Sequence, residues 1–133
     1  MSRSGYNECG SEWELIRWRG AVASAIRGRR GQVLLRDLLA GLDALPEKRL
    51  IANELEADGC HCALGVVGKT RGIQMDSLDP ENIERVAEVF DVAEAMSREI
   101  VFVNDEGAIG PETDAERFQR VRAWAQDQII TRT

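Results

Sequence analysis

No apolar run in this chain approaches the ~20 residues that a helix needs to cross a bilayer, which excludes a helical membrane-spanning segment. The opening stretch, MSRSGYNECGSEWE, has no apolar h-region, so no secretory signal is expected. Cysteine is scarce. Three in 133 residues is an odd number, and without an export signal it favours reduced thiols in a cytoplasm over a disulfide frame. Histidine is scarcer still, with His61 alone. A tetrahedral zinc site on Cys60, His61 and Cys62 would need Cys9 as its fourth ligand, and C-x-C is not the C-x₂₋₄-C spacing of structural zinc sites. No metal and no cofactor is expected. Internal repeats and low-complexity segments are absent too, and the length suits one domain rather than two.

What is present is ordinary in bulk and uneven in detail. The apolar share is 44% and the charged share 30%, as in globular proteins generally. The net charge of −6 divides unequally: residues 1–50 carry nine Lys/Arg against six Asp/Glu (+3), residues 51–133 eight against seventeen (−9). A chain with this balance repels a phosphate backbone overall, so general nucleic-acid binding is disfavoured. An acidic surface attracts basic ones, including the basic grooves of nucleic-acid enzymes.

The apolar spacing predicts helices through most of the chain. Residues 1–10 are polar and read as a flexible lead-in to a single helical domain over 11–133. Ser11-Glu12-Trp13-Glu14 fits a capping box. Leu15, Trp18, Val22 and Ile26 follow at helical spacing, and Gly28-Arg29-Arg30-Gly31 predicts a four-residue break. A second helix spans Gln32 to Leu45, with Leu35, Leu38, Leu39 and Leu42 on one stripe and Pro46 ending it. The two are expected to form an antiparallel pair. Arg49 to Leu55 fits no single period. Asp58-Gly59 is a preferred hairpin centre, so 52–56 is expected to pair with 60–64. A helix from Ala63 to Arg71 follows, with Gly72 just past its end. Asp79-Pro80-Glu81 reads as the next helix start, and Asp91 as the cap of another, carrying Val92, Ala95, Met96, Ile100 and Val103. Asn104 to Glu112 reads as a loop. Thr113-Asp114-Ala115-Glu116 is a second capping box, opening a last helix with Phe118, Val121, Trp124, Ala125 and Ile129. The fold class is therefore mainly α: a compact bundle of about five to six helices with a small β-hairpin near residues 52–64.

Few residues carry chemistry. Cys62 is the catalytic candidate, because a thiol at a helix N-terminus favours the thiolate. Its neighbour His61 would point to the opposite face of a strand, and Asn104 or Asp105 can orient a base but not replace one, so the set is incomplete and an enzyme is the weaker expectation. As a free cysteine, Cys62 serves equally well as a small buried apolar residue. Gly68-Lys69-Thr70 matches the end of a phosphate loop, but Ala63 stands where the first glycine is required, so the glycines are expected to serve close helix packing. Arg17, Arg19, Arg27, Arg29 and Arg30 can hold a phosphate or pair with the acidic half of the same chain; the second is preferred. Trp13, Trp18 and Trp124 are expected at or near the core. The acidic run Asp76, Asp79, Glu81, Glu84, Glu88, Asp91 and Glu94 is a solvated face that becomes a binding feature when a basic partner exists.

The stretches WELIRWRGAVASAIRGRRGQ, LDALPEKRLIANELEADG, CALGVVGKTRGI, LDPE, EIVFVNDEG and ERFQRVRAWA cover most of residues 12–125. Their layout resembles small uncharacterised proteins of tailed phages and prophages of Gram-negative bacteria. The G-x-x-C-A-L-G element with Asn-Asp downstream is similar to other small bacterial families of unassigned role. The resemblance brings no catalytic residues. It implies an accessory protein in the bacterial host cytoplasm that binds and inhibits or redirects a host protein, including defence complexes such as CRISPR–Cas. Asp76, Asp79, Glu81, Glu84, Glu88 and Asp91 are the expected partner-binding residues, with no membrane contact. A homodimer through Trp or Leu on an end helix is a further expectation.

Overall fold

Eight consecutive residues, His61 to Gly68, are buried, a run that no single amphipathic face produces. They form the end of a hairpin and most of α3 (Ala63–Arg71), the helix around which the others pack. The computed structural model describes residues 3–4 and 12–131. In chain order the elements are α1 (Glu12–Arg27), α2 (Arg29–Ala44), β1 (Glu56–Ala57), β2 (Cys60–His61), α3, α4 (Ile83–Val89), α5 (Glu94–Glu106) and α6 (Asp114–Gln128). The architecture is mainly helical with one small antiparallel hairpin.

α3 packs against α2 on one side and α5 on another; α2 also meets α1 and α6, while α5 meets α1 and α4. Leu34, Leu38 and Leu42 of α2, Leu64 and Val67 of α3, Phe90, Met96 and Ile100 share one continuous core with Phe118 and Val121 of α6. Close approach to α3 requires the absence of a side chain at Gly65, where a Cβ would collide with the Leu55 carbonyl oxygen. Gly65 therefore serves close packing against the segment before the hairpin, not against a second helix.

Both ends of α3 are closed locally. Cys62 is its N-cap, with Sγ accepting from the Gly65 N–H at 3.4 Å. At the other end Gly72 adopts φ 70°, and the Ile73 N–H reaches back to the Gly68 carbonyl at 2.8 Å, closing the helix as a Schellman motif. The hairpin pairs Glu56 with His61 and Ala57 with Cys60, inside the wider span expected from sequence. Its turn residues Asp58 and Gly59 both have positive φ (52° and 78°), as a two-residue type I′ turn demands. Leu50 and Ile51 join neither helix nor strand; their N–H groups donate to the Asp114 and His61 carbonyls.

Several local expectations are corrected. The break between α1 and α2 is the single residue Gly28, because the Gln32 N–H bonds the Gly28 carbonyl and Gly31 is buried inside α2. Asp79-Pro80-Glu81 is not a helix start: Asp79 Oδ1 accepts from the Glu81 N–H, folding an Asx turn, and the true N-cap is Asn82, which accepts from the Arg85 N–H. Asp91 ends α4 rather than starting α5. It sits at φ 52°, which Asp tolerates, while the Val92 N–H closes onto the Ala87 carbonyl; the N-cap of α5 is Ala93, without a side-chain bond. Asn104 to Glu106 form the last turn of α5, not a loop. The Thr113–Glu116 capping box is present with both reciprocal bonds. The capping box at Ser11 lies outside the described residues, as does the lead-in over 1–10 except for Arg3 and Ser4. Those two are buried rather than loose.

Candidate functional site

The acidic residues of the second half are all at the surface: Asp76, Asp79, Glu81, Glu84, Glu88, Asp91 and Glu94 are each exposed. The fold sorts them. Glu84, Glu88, Asp91 and Glu94 line one concave surface of about 330 Å³ with Ala87, Val92 and Arg30. The turn of α4 into α5 builds this groove, since the left-handed Asp91 brings the start of α5 back beside the outer face of α4. Asp76, Asp79 and Glu81 precede α4 and stand outside the groove lining.

Ion pairing within the groove is slight. Glu88 meets Arg85 at 3.1 Å and Asp91 meets Arg30 at 3.3 Å, both between exposed side chains, where such pairs contribute little. Glu94 is more firmly held by Arg98 at 2.7 Å. Asp76, Glu81 and Glu84 have no ion pair among the described residues. Of the four groove acids Glu84 alone is without an ion pair among the described residues, and all four stand at the surface. Arg30 and Glu94 are the members that the sequence pointed to least.

The five N-terminal arginines do not neutralise this surface. Only Arg30 pairs with the acidic half; Arg17, Arg19, Arg27 and Arg29 are exposed without an ion pair among the described residues. Elsewhere in the fold Arg3 pairs with Asp105, Arg71 with Asp37, Arg122 with Asp43, and Arg117 and Arg120 with Glu112. Arg36 adds to the exposed basic side, its guanidinium donating to the Ile130 carbonyl. Trp13 also departs from expectation. It is 68% exposed, beside the exposed Leu15 and Ile16, whereas Trp18 and Trp124 are half-buried. Trp18 lines a separate apolar cavity of about 390 Å³ with Val22, Ile26, Phe102 and Ile129.

Cys62 does occupy a helix N-terminus, but it is 1% exposed. His61 Nε2 lies 3.0 Å from Glu56 Oε2 across the hairpin. Asn104, fully buried, accepts the Ala63 N–H at 3.0 Å and donates to the Ile51 carbonyl and to Asp105 Oδ1, both at 2.9 Å. It is a bracket between α3, α5 and the segment before the hairpin, not an orienter of a base. Asp105 holds Arg3, through Nε to Oδ2 at 2.5 Å and Nη2 to Oδ1 at 2.9 Å, and also accepts the Asn53 N–H. Burial works against the Asp105 carboxylate, yet the Arg3, Asn104 and Asn53 bonds outweigh it and hold the group below the usual carboxylate range. Burial likewise works against the Arg3 charge, and Asp105 with the adjacent Cys62 thiol more than compensates, keeping the guanidinium above its ordinary value. No hydrogen bond joins Cys62 to a general base among the described residues.

Cys60 and Cys62 are both free thiols. Among the described residues no cluster of three or more His, Cys, Asp or Glu is placed to hold a metal ion, and no helix is long and apolar enough to cross a membrane. No protein-family model matches the chain, and neither curated proteins nor solved structures give a significant match.

Proposed function

We propose that this chain is a protein-binding module that receives a basic surface of its partner in the acidic groove formed by α4 and the start of α5. One observation carries the reading: Glu84, Glu88, Asp91 and Glu94 converge on one concave surface, where Glu84 has no ion pair among the described residues, exposed pairs answer Glu88 and Asp91, and Arg98 holds Glu94. Charge of one sign gathered on a concave face raises the local concentration of an oppositely charged partner and fixes its orientation. The resemblance to phage and prophage accessory proteins makes that partner a bacterial host protein, defence complexes included, which binding would inhibit or redirect.

The test is retention from bacterial lysate on the tagged chain, run beside Glu84→Lys/Glu88→Lys/Glu94→Lys and repeated at rising salt. The expected result is a stoichiometric protein whose retention falls by about tenfold or more in the triple variant and also falls with salt. Retention indifferent to both would remove the groove from the interface.

A second reading rests on Arg17, Arg19, Arg27 and Arg29 being left without ion pairs. That face would take an acidic partner or a nucleic-acid backbone despite the net charge of −6. Binding to duplex DNA or RNA with a steep inverse salt dependence would favour it, and absence of any shift at low salt would exclude it.

A further inference from the structure

The end of α1, the start of α2 and the chain leaving α6 meet at one corner, and Gln32 pins it. Its Nε2 donates to the Ile26 carbonyl at 2.7 Å and to the Gln128 carbonyl at 3.0 Å, while its Oε1 accepts the Ile130 N–H at 2.9 Å. Two concave surfaces adjoin this corner. One is the apolar cavity of about 390 Å³, walled by Leu15, Trp18, Val22, Ile26, Phe102 and Ile129. The other, of about 600 Å³, is lined by Arg27, Arg29, Arg36, Gln32, Val33 and Ile130, with no acidic side chain among the described residues. Arg27 and Ile130 belong to both linings, so the two surfaces are contiguous.

Their charges differ. Glu99 and Asp127 stand on the cavity lining and offset Arg19 and Arg27 there. The second surface carries three guanidiniums. Arg27 and Arg29 have no ion pair among the described residues, and Arg36 donates to the Ile130 carbonyl at 3.1 Å. A cavity of this volume falls in the range of small-ligand sites, about 300–1,000 Å³. Its wall is aliphatic and aromatic, and the Arg98 guanidinium lies over the Trp18 ring, 5.8 Å from its centroid. A nucleobase in such a wall would leave its polar edge short of partners, which is costly, whereas an acyl chain needs none. An apolar chain in the cavity with an anionic head on the guanidiniums uses both surfaces at once, since the guanidinium fork matches a carboxylate or phosphate.

We propose that this corner binds a free single-chain amphipathic anion, such as a fatty acid, with the acyl chain between α1 and α5 and the carboxylate on Arg27 and Arg29. The site is separate from the α4 groove, and it assigns Arg27 and Arg29 to a small molecule in place of a nucleic-acid backbone.

Calorimetric titration with decanoate, below its micelle concentration, tests this beside decanol, which has the same chain and no charge. Saturable one-to-one binding of decanoate is expected, with decanol weaker by about tenfold or more, the factor that loss of a charge-assisted contact implies. Arg27→Gln/Arg29→Gln, both exposed and outside the core, should weaken decanoate by that factor and leave decanol unchanged. Ala23→Phe should weaken both ligands, since Ala23 lines the cavity and the ring would fill it. Absence of saturable decanoate binding to the wild-type chain would overturn the proposal. So would equal affinity for decanol, or an arginine variant that binds decanoate as tightly as wild type. Co-sedimentation with anionic phospholipid vesicles, or a dimer from which decanoate is excluded, would assign the face to a membrane or to a second copy and overturn it too. If Ala23→Phe does not fold, the arginine variant and the decanol comparison decide without it.

Discussion

Replacing Asn104 by alanine removes three contacts that no neighbouring group can replace. The side chain is fully buried, so water cannot enter in its stead without opening the core. Its loss leaves the Ala63 N–H and the Ile51 carbonyl without partners, and an unsatisfied buried group costs about 1–3 kcal/mol. The third bond, to Asp105, is one of several that the carboxylate accepts, and its loss adds less. Asn104→Ala should therefore destabilise the fold by about 2–4 kcal/mol, a large part of the roughly 5–15 kcal/mol that domains of this kind possess. Urea denaturation should show the midpoint falling with the slope unchanged, and the melting temperature should drop by roughly 10 °C. Asn104→Asp gives an internal control. It keeps an acceptor for Ala63 but loses the donor to Ile51 and sets a second carboxylate beside Asp105, so its deficit relative to wild type should shrink on acidification. An Asn104→Ala protein within about 0.5 kcal/mol of wild type would refute the claim that this residue brackets α3 to α5.

Gly65→Ala should be among the most damaging single-methyl additions in the chain, because the new Cβ meets the Leu55 backbone rather than a side chain that can turn away; a melting temperature near wild type would contradict that packing. The pH dependence of stability follows from Asp105, whose carboxylate is held below its usual range by Arg3, Asn104 and Asn53 against the cost of burial. A depressed folded-state value means the unfolded chain binds the proton first. The contribution is therefore complete above the unfolded Asp value of about 4 and disappears as pH falls below it, through the folded value. Stability measured from pH 6 downward should decline through this window, and Asp105→Asn should flatten the decline; an equal slope in the variant would count against the assignment.

The parts of the fold legible in the sequence are those whose determinants lie within a few residues. Asp58-Gly59 specifies the hairpin centre, Gly72 the end of α3 and Thr113–Glu116 the start of α6, and each stands where local chemistry puts it. Asp79-Pro80-Glu81 misled because the same residues suit an Asx turn, and Asn82, three positions on, is the cap that aligns with the buried Ile83. Asp91 misled for a related reason: aspartate both caps helix starts and tolerates the left-handed conformation that ends α4. The acidic residues were visible as a run, but their division into groove and flank depends on that same reversal at Asp91. Which arginine answers which acid was not legible where the partners lie far apart in the chain. Arg3 and Asp105 stand 102 positions apart, and Arg122 and Asp43 stand 79 apart, so no local pattern links them.

The account stands or falls on whether the charge of the α4 groove is used by a partner. The decisive measurement is affinity of one retained bacterial protein for the wild-type chain and for Glu84→Lys/Glu88→Lys/Glu94→Lys, with circular dichroism and melting run on both. Matching folds with binding weakened by about tenfold or more is the predicted result; matching folds with equal affinity would contradict it.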